Sequence, residues 1–112
     1  MQNDSRLEQL LKFLEQEPND PFLQYALATE YLRNNKLETA LFYYESLVNN
    51  HQNYVGTYYH LGKLYELLDR KEDAIKIYYA GIQISKNKKD MHALSELQGV
   101  YNAIVGLDYE DD

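Results

Sequence analysis

Residues Val55–Lys88 read VGTYYHLGKLYELLDRKEDAIKIYYAGIQISKNK, and this stretch decides the fold. Aromatic, apolar and small residues stand in it at helical spacing: Tyr58, Leu61, Gly62, Tyr65, Ala74 and Tyr78. A similar pattern occurs 34 residues earlier, and the identities between the two copies are Asn19/Asn53, Tyr25/Tyr59, Leu27/Leu61, Tyr31/Tyr65, Glu38/Glu72, Ala40/Ala74 and Tyr44/Tyr78. A pattern repeated at this interval indicates a repeat protein, in which each unit buries its apolar face against its neighbour.

The period and the spacing resemble those of the tetratricopeptide repeat, a helix-turn-helix unit, in a small bacterial-type stand-alone domain. The resemblance implies an all-α fold, a right-handed α-α superhelix of about six helices. Two full repeats are expected, flanked by half-repeat capping helices that turn a polar face to water. It also implies a function class, that of a protein-protein interaction scaffold without enzymatic activity.

The chain of 112 residues is long enough for one domain, which we predict over residues 1–112. Within it we expect a helix at 5–17, a first repeat at 20–50, a second repeat at 53–87, a capping helix at 90–105 and an acidic tail at 106–112. In the first helix, Ser5 has the spacing of an N-cap with Glu8 three residues later. Pro18 is expected to end that helix, because a proline disfavours helical backbone in the residue before it.

Later helix starts are predicted from the same capping chemistry. Asp20 precedes Pro21, which is the arrangement of an N-cap acid followed by a proline in the first helical position. Asn35 and Asp69 each stand three residues before a glutamate, and we interpret both as N-caps in capping boxes. Asp90 is expected to cap the last helix in the same way as Asp20.

The last helix departs from the strict period of 34. A strict shift would place Ser95 at a core position and turn Leu97 to solvent, whereas two extra residues restore the pattern as Leu94-x2-Leu97-Gln98-x2-Tyr101. We therefore predict the two-residue shift. Gln98 then replaces the small residue of the pattern, which is acceptable for a capping helix that has no following partner.

Close helix crossings are predicted where small residues face each other within a repeat. Ala28 and Gly62 in the first helices would meet Ala40 and Ala74 in the second helices. Tyrosines are expected to fill the core around these crossings: Tyr31, Tyr44, Tyr65 and Tyr78.

Composition excludes several other classes. The net charge is −7, and the only cluster of bases is Lys86, Lys88 and Lys89, which argues against nucleic-acid binding. The first 14 residues contain acids and no long apolar run, so we expect neither a signal peptide nor membrane insertion, and a cytoplasmic location. The three histidines lack metal-ligand spacing, and no phosphate loop or nucleophile motif is present, so we expect no metal, cofactor or enzyme activity.

In tetratricopeptide repeat proteins, the first helices of successive repeats line a concave groove that receives a peptide. Carried over by position, the resemblance implies a partner-binding groove, called the groove positions below: Phe22, Tyr25, Thr29, Arg33, Gly56, Tyr59, Lys63, Leu67, His92, Ser95, Gly99 and Asn102. Some family members clamp a terminal carboxylate with several lysines, asparagines and an arginine. Here Lys63 is the main cation of the groove, and this departure argues against such a clamp.

Two alternatives remain open from the sequence. Tyr25 and Tyr59 recur at one period, so they could pack on each other along the repeat stack instead of contacting a ligand. Tyr43, Tyr54 and Tyr79 fall outside the core pattern and could form an aromatic edge. The chain could then be a structural subunit that self-associates or docks into a larger assembly through its end caps or this edge. The sequence therefore predicts a protein or peptide partner, with a monomer or weak homodimer as the assembly state.

Overall fold

The computed structural model describes the backbone of residues 2–106 and the side chains of residues 5–106. Over this range the chain is helical and contains no strand. The six helices are α1 (Gln2–Gln16), α2 (Pro21–Arg33), α3 (Leu37–Asn50), α4 (Gly56–Leu67), α5 (Lys71–Lys88) and α6 (Met91–Val105). The predicted all-α class and the number of helices are confirmed. The predicted acidic tail lies, from residue 107 onward, outside the described residues.

The chain divides into two compact units, Met1–Tyr54 and Val55–Asp112. In the first unit, α2 packs against α3, and α1 packs against α2. In the second unit, α5 lies against both α4 and α6, and α4 also contacts α6. The boundary falls at Val55, where the second copy of the repeated pattern begins.

The crossing of α4 and α5 depends on a missing side chain at Gly62. A Cβ atom added to Gly62 would collide with the aromatic ring of Tyr78, which is fully buried against it. Ala74 is also inaccessible to solvent in this unit. The predicted close approach is confirmed, because only a residue without a side chain leaves room for the ring of Tyr78.

The first unit uses the same arrangement with alanine in place of glycine. Ala28, Ala40 and Tyr44 each have no exposed surface. Tyr31 is half-buried, and Tyr65 in the second unit is 8% exposed. The four tyrosines predicted as core residues therefore differ in exposure. Tyr44 and Tyr78 are fully buried, Tyr65 is nearly so, and Tyr31 lies nearer to the surface.

Two of the predicted N-caps are confirmed. The Asp20 side chain accepts a hydrogen bond from the backbone N–H of Phe22 at 2.9 Å, with Pro21 in the first turn of α2. The Asp90 side chain accepts from the N–H of Ala93 at 3.1 Å at the start of α6. Each carboxylate satisfies an N–H group that has no partner inside its helix.

The predicted capping boxes at Asn35 and Asp69 are wrong. Both residues have positive φ, 62° in each case, and the N-cap positions fall on Lys36 and Arg70, without a side-chain cap bond. Asn35 and Asp69 instead lie at the ends of the preceding helices. The N–H of Lys36 donates to the carbonyl of Tyr31 at 2.9 Å, and the N–H of Arg70 donates to the carbonyl of Tyr65 at 2.8 Å. This is the left-handed helix termination in which the backbone turns sharply after the last turn.

The N-cap predicted at Ser5 is also wrong. Helix α1 begins at Gln2, so Ser5 lies inside it. The end of α1 agrees with the prediction, since the helix stops at Gln16, two residues before Pro18. Of its apolar stripe, Leu10 is buried at 6% exposure, while Leu7, Leu11 and Leu14 are half-buried.

The structure confirms the two-residue shift in α6. Leu97 is 1% exposed, whereas Ser95, Gln98 and Gly99 are exposed. Leu97 lies near Gly81 of α5, whose hypothetical Cβ would stand 3.0 Å from a Leu97 methyl carbon. Helix α6 thus packs its predicted apolar side on α5.

Among the described residues, no helix combines the length and the apolar character that a membrane crossing requires.

Gly62→Ala should destabilise the protein by about 1 to 3 kcal/mol, because the new methyl group overlaps the buried ring of Tyr78. Gly99→Ala is the matched control, since a Cβ there meets nothing within 4 Å. In an exposed helix interior the same substitution should stabilise by about 0.5 to 1 kcal/mol. Thermal or urea unfolding measures both changes in the free energy of unfolding. A change in the same direction for the two variants would contradict the packing at Gly62.

Lys89→Gly should stabilise the protein by about 0.5 to 1 kcal/mol, because Lys89 has φ 59° and a side chain disfavours this left-handed backbone. Asn35→Gly is the control at a position with φ 62°. Asparagine tolerates this conformation better than lysine, so the gain there should be smaller. Urea unfolding of the two variants and the parent gives the order, and a loss of stability in Lys89→Gly would contradict the assignment.

Candidate functional site

In the first unit, the groove positions of α2 begin with an exposed ring and a supported one. Phe22 is 59% exposed. Tyr25 is half-buried, with its ring centroid 6.2 Å from that of Tyr44 and 5.7 Å from that of Tyr54. Burial, and then the neighbouring Tyr54, raise the pKa of Tyr25 above its ordinary value. Tyr25 therefore packs on two rings of its own unit while part of its side chain stays accessible.

Thr29 connects the surface of α2 to the core of the first unit. Its Oγ1 shares a hydrogen bond of 2.9 Å with the Oη of Tyr44. Burial raises the pKa of Tyr44 to about 12, although the hydrogen bond with Thr29 acts in the opposite direction. The core tyrosine thus fixes the position of a hydroxyl group on the predicted binding face.

Arg33 forms an ion pair with a buried carboxylate. Glu30 is only 3% exposed, and its Oε1 lies 3.7 Å from Nε of Arg33 and 3.4 Å from Nε of Arg6 in α1. A buried carboxylate is costly unless cations or hydrogen bonds compensate its charge. Sequence reasoning missed this role. The available signal was that Glu30 stands where the second repeat has Leu64, a residue 1% exposed.

In the second unit, the groove positions of α4 comprise half-buried Tyr59, exposed Lys63 and Leu67, which is 64% exposed. The Tyr59 ring stands edge-on to His60, with centroids 5.5 Å apart. A large apolar side chain and a cation are thus both accessible to solvent on one helix, one turn apart. This combination suits a ligand with an apolar group and an acidic group.

Glu66 is a groove-side residue that the sequence reasoning missed. Its Oε2 accepts a hydrogen bond of 2.6 Å from Oη of Tyr78. Burial is the main cause that raises the pKa of Tyr78 well above its ordinary value, and the hydrogen bond to Glu66 adds to it. In both units, therefore, the hydroxyl group of a core tyrosine bonds to the first helix of the repeat. The sequence carries no sign of the role of Glu66, because the equivalent residue in the first repeat is Leu32.

Helix α6 contributes mostly polar groove positions. His92 is exposed, and its Nε2 lies 3.2 Å from Oε2 of Glu96. Ser95 is exposed and Asn102 is half-buried. Burial lowers the pKa of His60 on α4, while the carboxylate of Glu96 acts to raise it. These interactions place Glu96 on the side of α6 that faces α4, within the second unit.

The three tyrosines predicted at an edge have different surroundings. Tyr43 stacks on Tyr31 with centroids 5.7 Å apart, and Tyr54 packs on Tyr25. Tyr79 is 53% exposed and lies 6.1 Å from the ring of Tyr101. Tyr43 and Tyr54 belong to the first unit and Tyr79 to the second, and each ring packs on a different neighbour. In the part of the chain with described side chains, no group of three His, Asp or Glu residues is arranged to hold a metal ion.

Comparison with known families matches two parts of this chain, residues 10–42 and residues 55–88, each to a tetratricopeptide repeat model. A tetratricopeptide repeat domain protein from Salinibacter ruber is 46% identical in sequence. Its solution structure covers 85% of this chain and 96% of its own, with a TM-score of 0.77. No curated protein sequence matches this chain.

More distant solved structures share the fold. A Bordetella parapertussis protein is 20% identical, with a TM-score of 0.76 over 91% of this chain and 89% of its own. The first repeat domain of Spaghetti, solved with a bound HSP90 peptide, is 21% identical and has a TM-score of 0.77 over 95% of this chain and 79% of its own. These likenesses show the repeat-type α-α superhelical fold class.

Tyr78→Phe should lower the free energy of unfolding by about 1 to 2 kcal/mol, because it removes a hydrogen bond to a carboxylate that is itself exposed. Tyr79→Phe is the control, since Tyr79 is 53% exposed and its ring contact is retained, and its effect should stay within about 0.5 kcal/mol. In a Glu66→Ala background the effect of Tyr78→Phe should shrink. Urea unfolding of the parent, Tyr78→Phe, Glu66→Ala and the double variant measures this coupling. An undiminished effect of Tyr78→Phe in the Glu66→Ala background would contradict it.

Proposed function

Because this chain belongs to the tetratricopeptide repeat family, whose members generally act as protein-protein interaction scaffolds without enzymatic activity, we propose that it is an adaptor for a partner protein. The ligand is a peptide segment of that partner. The binding surface is proposed for each unit separately, at the groove positions of α2 in the first unit and at those of α4 and α6 in the second. The proposal needs no cofactor, and it places the protein in the cytoplasm.

The observation that carries the proposal is the exposure of large apolar side chains at the groove positions. Phe22 is 59% exposed and Leu67 is 64% exposed. Such side chains on a protein surface favour contact with a partner, particularly when rigid aromatic residues lie beside them. Tyr25 and Tyr59 supply these aromatic residues, and both are only partly accessible.

The chemistry of the second unit specifies the ligand further. Lys63 is the exposed cation at the groove positions of α4, one turn from Leu67. The segment should therefore be extended or helical, with apolar side chains and one acidic residue for Lys63. A cluster of cations that would surround a free carboxylate is not found at the described groove positions, so the ligand is expected to be an internal segment.

Lys63→Glu combined with Leu67→Ala should weaken partner retention by about 2 kcal/mol or more, because the first change repels the acidic residue and the second removes an apolar contact. Both side chains are exposed, so the variant should melt like the parent. Pull-down from the source cell, followed by calorimetry with the captured partner, measures the effect. Circular dichroism checks that the variant remains helical.

Lys12→Glu combined with Phe13→Ala is the matched control on α1. It repeats the same two types of change at exposed residues that lie away from the groove positions, and Phe13 is 55% exposed. Partner retention by this control should equal that of the parent. The proposal fails if the groove variant stays folded and retains every partner that the parent retains.

A further inference from the structure

We propose that the outer face of α3 and the loop after it form a second binding surface, which takes an extended polypeptide segment with few charges. This inference goes beyond the adaptor function proposed above, because α3 contributes none of the groove positions. It rests on two clefts of the first unit, on the side chains that line them and on the spacing of these side chains along the helix.

The two clefts are contiguous. One has a volume of about 590 Å³, and the other has a volume of about 330 Å³. Both are lined by Asn49 and Asn50, so they lie next to each other at the C-terminal end of α3. We call the combined surface the amide strip, and its lining residues are Pro21, Phe42, Glu45, Ser46, Asn49, Asn50, His51, Gln52, Asn53 and Tyr54.

The amide strip has an unusual composition for the surface of this chain. It contains four side-chain carboxamides, and Glu45 is its single residue of the Asp, Glu, Lys and Arg types. In the whole chain these four types make up 26% of residues. A carboxamide offers both an N–H donor and a carbonyl acceptor, which are the groups that a peptide backbone needs from a partner.

The second repeat shows that the helical fold does not require this composition. At the positions 34 residues later, Phe42, Gln52 and Tyr54 are replaced by lysines, and Ser46 is replaced by an alanine. The second repeat thus has lysines at three of these positions, and Lys76 is the one that stands in the row of α5 equivalent to Phe42, Ser46 and Asn50. The amide strip therefore has fewer charged residues than the corresponding positions of the second repeat.

The spacing of the side chains favours an extended ligand. Phe42, Ser46 and Asn50 follow one another at intervals of four residues, so they form a row along α3 with steps of about 6 Å. Alternate residues of an extended chain are separated by about 6.6 Å, so they can align with this row. The row is partly fixed, because Nδ2 of Asn50 donates a hydrogen bond of 3.2 Å to Oγ of Ser46.

Supported aromatic rings mark both ends of the amide strip. Phe42 is 65% exposed, and its ring stands edge-on to Tyr43 at 5.2 Å. Tyr43 in turn stacks on Tyr31 with the ring planes only 11° apart. At the other end, Tyr54 packs on Tyr25. Rings held in this way provide contact area with little loss of conformational entropy on binding.

A displayed library of random heptapeptides, panned on the full chain, supplies the probe for this surface. The strip variant is Asn49→Asp with Asn50→Asp, which replaces two donors by charged acceptors. The matched control is Gln83→Glu with Asn87→Asp, which adds two charges at exposed residues of α5. Thermal melting checks that both variants remain folded.

The expected result is a set of peptides with few charges and an apolar residue, which shift backbone amide resonances of residues 42–54 in the labelled chain. Their affinity should fall about tenfold or more in the strip variant, because the two carboxylates cannot donate hydrogen bonds to the carbonyl groups of the peptide, and it should be unchanged in the control.

Three results would overturn the proposal. The first is that every recovered peptide binds the strip variant as tightly as the parent, or that the library yields no binder at all. The second is that the recovered peptides shift resonances at the groove positions instead of residues 42–54. The third is that maltoheptaose, tested in parallel, shifts residues 42–54 while no peptide does, which would assign the surface to carbohydrate.

Discussion

The contact on which the structure depends is an aromatic ring packed against a residue that has little or no side chain. In the second unit, the ring of Tyr78 occupies the space that a Cβ of Gly62 would need. In the first unit, Tyr44 and Ala28 are both fully buried at the corresponding positions. Dense packing at such a crossing fixes the two helices of a repeat relative to each other, because neither ring can move without opening a void.

The same tyrosines connect the core to the predicted binding faces. Tyr44 bonds Thr29, and Tyr78 bonds Glu66, so each ring ends in a hydroxyl that holds a polar group of the first helix. Changes at these tyrosines are therefore expected to affect both stability and surface chemistry.

The two repeats have diverged on their surfaces while keeping this core. Tyr31 is covered by the stacked ring of Tyr43, whereas Tyr65 is covered by the guanidinium of Arg70, 4.7 Å from the ring centroid. Glu30 takes the place of a core leucine and binds two arginines. A repeat architecture permits such differences, since these residues lie outside the crossing that the two repeats share.

The sequence by itself determined the repeat, the all-α class, the register of α6 and the N-caps at Asp20 and Asp90. These features are local, because they depend on period, helical spacing and the chemistry of a single carboxylate beside a helix start. The tertiary structure decided the roles of Asn35 and Asp69, since the residue types that cap a helix start also tolerate left-handed backbone at a helix end. It also decided which groove residues have partners, including Arg33 with Glu30 and Thr29 with Tyr44. Thr29 and Tyr44 belong to different helices, so only the packed chain brings them within bonding distance. Glu30 and Arg33 are neighbours on α2, and what packing decided there is the burial of Glu30, which makes an uncompensated charge costly.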